Sequence, residues 1–255
     1  MSRPLGISVE RDGALLHLTL ARPKANIIDA GMIAALDQAL ARHLDHRDLK
    51  AVLLDADGPH FSFGASVEEH LPESCAEMLR GLHALILRMI DAPVPVLVAI
   101  HGQCLGGGLE VACAGSMLFA SPDANLGQPE MQLGVFAPAA SCLLPERIGQ
   151  PRAEEMLYSG AAIDGRRACE IGLVDHLADD PTQAALEWFD AQLAPKSASS
   201  LRMAVAAARM EFAARIRARL ERVEKLYLEE LMQTRDAVEG LNAFIAKRPA
   251  KWENR

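Results

Sequence analysis

Two glutamates, Glu110 and Glu130, stand twenty residues apart, the first inside an apolar run and the second in "NLGQPEMQLG". Two carboxyls flanking a polarised carbonyl can work as an acid–base pair: one takes a proton from water while the other delivers one to carbon. Burial or a neighbouring like charge raises a carboxyl pKa, so one member can stay protonated near neutrality. Spacing along the chain does not bring two carboxyls together, and a solvated or salt-bridged pair fits the same residues. Immediately before Glu110, "GQCLGGGLEVACAG" (102–115) places three glycines at the mouth of an apolar helix. Glycine is a poor helix former, so another requirement holds it there. Nucleotide fingerprints fail: Gly108 stands where a phosphate-loop lysine is needed, and Val111 where a dinucleotide motif needs glycine. An oxyanion hole remains, with backbone N–H groups facing a substrate carbonyl. Tight packing of helix on strand is the other reading.

The surrounding elements alternate. "ALLHLTL" (14–20) reads as a strand, and 29–46 has helical apolar spacing with Asp29 as N-cap. "LKAVLLDADG" (49–58) is a short buried strand. "SCAEMLRGLHALILRMIDAP" (74–93) is an amphipathic helix stopped by Pro93, and "PVPVLVAIHG" (93–102) is a strand entering the glycines. Leu109–Ala114 continues as a short helix, and "SMLFASPDANLG" (116–127) is another strand and turn. This is an α/β pattern with largely buried strands. After Pro151, "PRAEEMLYSG" and "DGRRACEIG" read as short helices and "LVDHLA" as a strand. From about Ser197 to Lys247 the chain reads as helical. Ile216, Leu220, Val223, Tyr227 and Leu231 form one stripe, for the protein's own core or for a subunit contact. A soft boundary near residue 195 divides a core (1–195) from a helical region (196–255).

The 255 residues are half apolar, enough for a sizeable core. A net charge of −8 argues against nucleic acid or an anionic membrane as partner, and an anionic ligand would need a local basic patch. The five cysteines are odd in number and show no CxxC spacing, which argues against a disulfide framework and a zinc site and fits a reducing compartment. No targeting segment and no run long enough to span a bilayer is visible, so a cytoplasmic protein is expected. His60, His70 and His101 have no metal-ligand spacing and read as surface or packing residues; no metal is expected. Phe61 and Phe63 read as buried packing or as surface facing a substrate ring, Glu68 and Glu69 as solvated, and Cys104 and Cys113 as small core residues.

"VPVLVAIHGQCLGGGLEVACAGSMLFASPDANLGQPEMQLG" (94–134) resembles the signature of the enoyl-CoA hydratase/isomerase (crotonase) family. The similarity continues through "ARPKAN", "FSFGAS", "SGAAIDGRRACEIGLVDHL" and "EGLNAFIAKR". It implies a crotonase-like spiral of ββα units with a C-terminal helical trimerisation region, assembled as a homotrimer or dimer of trimers. It further implies that Ala65 and Gly107 are the two oxyanion donors and that Glu110 and Glu130 are the hydratase glutamates, with no fixed division of roles between them. Lys24 and Ala25 match positions that touch coenzyme A, and Lys247 and Arg248 either add positive charge from a neighbouring subunit or belong to a solvated face. No cofactor is implied, because coenzyme A is part of the substrate. Where ordinary hydratases carry a glycine-rich loop, this chain has "GVFAPAASCLLPERIG" (134–149), whose Phe136, Ala137 and Pro138 make an apolar wall. These departures resemble hydratases of anaerobic aromatic degradation, which act on a six-membered cyclic dienoyl thioester. A linear enoyl thioester, a ring-opening hydrolase and an isomerase are the alternatives on the same scaffold.

Overall fold

In the computed structural model, which describes residues 4–255, a hairpin joins β1 (Leu5–Glu10) to β2 (Leu15–Leu20). Its turn places Asp12 at a φ of 56°. α1 (Ala30–His43) follows, N-capped as expected: the Asp29 carboxylate accepts from Met32 N–H at 2.8 Å. Glu69, expected in solvent, also accepts from the first-turn Ala30 N–H, at 3.1 Å. β3 (Ala51–Ala56) is buried along its whole length, as a central parallel strand must be. α2 (Cys75–Ile90) turns Met78, Leu79, Leu82, Leu85, Ile86 and Met89 inward at steps of three and four.

From here the chain repeats one unit: a strand in a large sheet, a strand in a small sheet, then a helix. β4 (Val96–Ile100) is followed by β5 (Gln103–Leu105) and α3 (Gly107–Cys113). β6 (Met117–Ala120) is followed by β7 (Asn125–Gly127) and α4 (Pro138–Ile148). α5 (Gln150–Ser159), β8 (Ala162–Asp164), α6 (Gly165–Glu170), β9 (His176–Leu177) and α7 (Pro181–Gln192) complete the core. The large sheet runs β1-β2-β3-β4-β6-β9, parallel except for the β1–β2 hairpin. The small sheet runs β5-β7-β8. Alternation along the strands divides the apolar residues between two faces. Leu15, Leu53, Leu97 and Phe119 pack against Phe189 of α7, whereas Leu16, Val52, Leu54 and Val98 face the main core.

The C-terminal helical stretch is broken rather than continuous. α8 (Ala198–Lys225) passes into a π turn at Leu226–Glu230 and a 3-10 turn at Leu231–Gln233. α9 (Arg235–Ile245) then starts afresh, capped by the Thr234 hydroxyl. Of the predicted stripe, Ile216, Leu220 and Tyr227 are buried in the protein's own core, with Val223 and Leu231 packed on its edge. Among the described residues no helix is long and apolar enough to cross a membrane.

Candidate active site

The glycine turn is built by two sheets meeting. β5 pairs with β7, and the Gly106 N–H donates to Gly127 O at 2.9 Å. Gly106 adopts φ 48°, ψ −127°, a conformation closed to side-chain-bearing residues, and starts α3. The helix therefore begins at Gly107, two residues before the expected Leu109. Its first-turn N–H groups have no intrahelical acceptor.

A second loop is laced against this turn. Ser62 N–H donates to Gln103 O at 2.9 Å, and Leu105 N–H donates to Ser62 O at 3.0 Å. Asn26 and Ser62, both fully buried, anchor the loop from behind. The Ser62 hydroxyl donates to Asn26 O at 2.8 Å and accepts from Gly64 N–H at 3.1 Å. The Asn26 amide donates to Asp57 O and His60 O at 3.0 and 2.9 Å. Ala65 is thereby held beside Gly107: a Cβ added to Gly107 would lie 2.9 Å from Ala65 Cβ and 3.0 Å from Ala65 N. Neither the Ala65 nor the Gly107 N–H finds a protein acceptor among the described residues. Two free donors this close can share one oxyanion.

Glu110, one turn into α3, is buried. Its carboxylate accepts from Ala140 N–H at 2.8 Å, at the N-terminus of α4. Pro138 opens that helix at a position where a missing N–H costs nothing. The apolar wall read from the sequence is thus also the start of a helix that holds the first glutamate. Burial pushes the Glu110 pKa up, while the Ala140 and Ala139 N–H groups and His83 pull it back. Glu130 sits in the 3-10 turn Pro129–Leu133. Its pKa is also raised, first by burial and then by the Glu110 charge, with only its own backbone N–H opposing. The Gln128 side-chain amide faces this carboxyl. Turned nitrogen-first, it donates to both oxygens at 3.0 and 3.1 Å; turned oxygen-first, it accepts from the protonated acid.

Glu110, Glu130, Ala65, Gly107 and Phe136 line one cavity of about 530 Å³. The surrounding wall is mainly apolar, with Val67, Leu79, Leu82 and Val135 prominent. Phe136 meets Tyr227 edge-to-face, with ring centroids 5.2 Å apart. Of the two phenylalanines, Phe61 is buried packing, whereas Phe63 lines the cavity and is 44% exposed, which departs from the packing reading and fits the cavity-facing one. His70, expected at the surface or in packing, also lines the cavity. Lys24, Ala25 and Lys247 are not among the lining residues. Lys24 and Lys247 are exposed, and Ala25 O accepts from Phe63 N–H at 2.9 Å. Gly240, Leu241, Ala243 and Phe244 of α9 close the cavity from the same chain, followed by Arg248 and Pro249. The Arg248 guanidinium is tied to Glu239 at 2.6 and 2.8 Å.

Two signals for this site were present in the sequence and not used. Asn26 lies in the same "ARPKAN" segment as Lys24, and Gln128 directly precedes the Pro-Glu pair. Both are buried amides, which need partners.

The enoyl-CoA hydratase/isomerase family model matches residues 10–255. The chain belongs to that family. Members act on acyl-CoA thioesters, and this chain is an enzyme of that chemistry. Over 254 residues it is 65% identical to a cyclohexa-1,5-dienecarbonyl-CoA hydratase from Thauera aromatica, covering 100% of this chain and 98% of the relative. It is 30% identical to a carnitinyl-CoA dehydratase from Proteus mirabilis, with 100% of each chain covered. A solved enoyl-CoA hydratase from Mycobacterium avium superposes with a TM-score of 0.87 at 25% identity, covering 99% of this chain and 100% of that one. The spiral of ββα units is thus the family's crotonase fold.

Proposed function

We propose that the protein adds water to cyclohexa-1,5-diene-1-carbonyl-CoA, giving 6-hydroxycyclohex-1-ene-1-carbonyl-CoA. The convergence of two pKa-raised carboxyls and two free N–H donors on one apolar cavity carries the hydratase reading. The identity to the Thauera aromatica enzyme supports the ring substrate. The thioester oxygen is held by the Ala65 and Gly107 N–H groups, which makes the β-carbon electrophilic. Glu110, favoured as carboxylate by the α4 N–H groups, takes a proton from water as the oxygen bonds to the β-carbon. The electron pair moves through the enolate to the far end of the diene, where Glu130, favoured as the neutral acid, delivers its proton. Glu110 is left protonated and Glu130 ionised, and one proton shift between them resets the pair.

The substrate would come from a reduced aromatic thioester, as in anaerobic benzoyl-CoA degradation. Coenzyme A would enter past Lys24, Ala25 and Lys247, and no further cofactor is required. The five unpaired thiols fit a cytoplasmic location. Assembly as a trimer or a dimer of trimers would give about 82 or 165 kDa from 27.5 kDa chains, and a monomer in light scattering would refute it. The deciding experiment is turnover of the cyclic dienoyl-CoA beside crotonyl-CoA, with products identified by mass. The cyclic thioester should win in kcat/KM by at least about tenfold. Crotonyl-CoA hydration with no activity on the ring would leave only a general hydratase.

A further inference from the structure

Hydration by this pair leaves one hydrogen of the attacking water unassigned. One proton goes to Glu110, and Glu130 gives its own across the ring. The second hydrogen of the water stays on oxygen and becomes the product O–H. In an apolar cavity that hydrogen needs an acceptor.

The polar side chains lining the cavity are mostly committed. Glu110 accepts from Ala140 N–H, Arg248 is tied to Glu239, and the Gln132 amide donates to Gly160 O at 3.0 Å. His70 is not. It ends the 3-10 turn Glu68–His70, five residues beyond Ala65, and its Nδ1–H donates to Ser66 O at 2.7 Å. That bond fixes the tautomer, leaving Nε2 as an acceptor with no protein partner. Burial also lowers the pKa of the ring and keeps it neutral. The Ser66 carbonyl lies one peptide beyond the Ala65 N–H. The ring is therefore anchored beside the oxyanion donors, where the acyl carbons lie.

We propose that His70 Nε2 accepts a hydrogen bond from the retained hydrogen of the attacking water and then from the hydroxyl of the product, so that His70 orients the nucleophile and selects the hydroxylated thioester. This rests on the hydratase reading and assigns it a third polar group.

The test compares ligands with and without the hydroxyl in His70→Leu and His70→Gln, after confirming that both variants fold. The KM for dehydration of 6-hydroxycyclohex-1-ene-1-carbonyl-CoA should rise about tenfold in His70→Leu, the loss expected for one hydrogen bond. Hydration kcat should fall by a similar factor. The inhibition constant of cyclohex-1-ene-1-carbonyl-CoA, which lacks the hydroxyl, should stay within about twofold, because no hydrogen bond is lost. His70→Gln keeps an acceptor and should recover most of the difference. Equal weakening of both ligands, or of neither, would make His70 a wall residue and overturn the proposal. If the wild-type enzyme hydrates only linear thioesters, the ring substrate falls, and the same comparison with 3-hydroxybutyryl-CoA and butyryl-CoA decides the role of His70.

Discussion

Replacing Gly106 with alanine tests whether the glycine turn serves the chemistry or only the packing. At φ 48° and ψ −127° an alanine is strained, and such a residue costs about 1–3 kcal/mol. For a chain of this size that corresponds to roughly 2–10 °C in Tm. The new Cβ would stand 2.7 Å from Glu130 Oε1, against ordinary contact at 3.4 Å or more. A carboxyl at the end of a flexible side chain can retreat cheaply, so stability suffers little from this contact. The retreat of several tenths of an ångström nevertheless moves the proton donor. Misplacement approaching 1 Å can cost about 100-fold in rate, so kcat should fall roughly 10–100-fold. Gly149 supplies the control. It has φ 75° and ψ 158°, but no atom lies within 4 Å of an added Cβ. Gly149→Ala should lose comparable stability and keep its kcat. The assay is steady-state hydration of the dienoyl thioester beside thermal melts of both variants. Wild-type kcat in Gly106→Ala, or equal kcat losses in the two, would refute the reasoning.

Glu110→Gln and Glu130→Gln should each lower kcat by about 10²–10⁴, and the double variant by far less than the product of the two, because the pair acts on one turnover. Rate against pH should be bell-shaped: it falls on the acid side as Glu110 takes a proton and on the alkaline side as Glu130 passes its raised pKa and loses one. The residual rate of Glu130→Gln should lack the alkaline limb, and a retained limb would assign it to another group. Phe136→Ala should weaken the ring substrate more than crotonyl-CoA and cost about 0.5–1.5 kcal/mol from the lost contact with Tyr227, beyond the area it exposes. Glu224 of α8 accepts from buried His83 Nδ1 at 2.5 Å, and this bond holds the Glu224 pKa below its usual value. Its stabilisation is therefore present above the unfolded carboxylate pKa and fades as pH falls through the folded one. Glu224→Gln should cost about 1.5–3 kcal/mol at neutral pH, with its Tm converging on that of wild type in acid.

The fold was readable wherever one face or one strand carried a uniform chemical demand. β3 and α2 declare themselves through unbroken and three-to-four-spaced apolar residues, and the Asp29 cap through its carboxylate. β1 is a poorly marked edge strand: Leu5, Ile7 and Val9 alternate with Gly6, Ser8 and Glu10, but Ile7 and Val9 are each 51% exposed, so the alternation marks no buried face. The helix α4 is hidden when Phe136, Ala137 and Pro138 are read only as an apolar wall. Proline at a first helical position is a start signal, and Pro145 further along obscured it. The break between α8 and α9 follows from Thr234, a capping residue inside a helix-favouring composition, whose hydroxyl accepts from Ala237 N–H at 3.2 Å.

The site was legible in part because its donors are backbone groups that only certain residues permit. Gly107 is named by the family resemblance, and the structure gives a reason for glycine there: an added Cβ would lie 3.0 Å from Ala65 N. The proposed division of labour between the glutamates is not legible in the sequence, because it rests on which one receives a helix N-terminus. Glu110 is twenty-eight residues from the start of α4, and only the fold brings the Ala139 and Ala140 N–H groups to its carboxylate. Glu130 is two residues from Gln128, an amide able to donate or accept, so its neighbour tolerates both protonation states. The same chemical group is thus given two environments: one with fixed donors that favour the charge, the other with a reversible partner beside an existing negative charge. Two carboxyls of one chemical type can then favour different protonation states, which is what the proposed proton exchange requires.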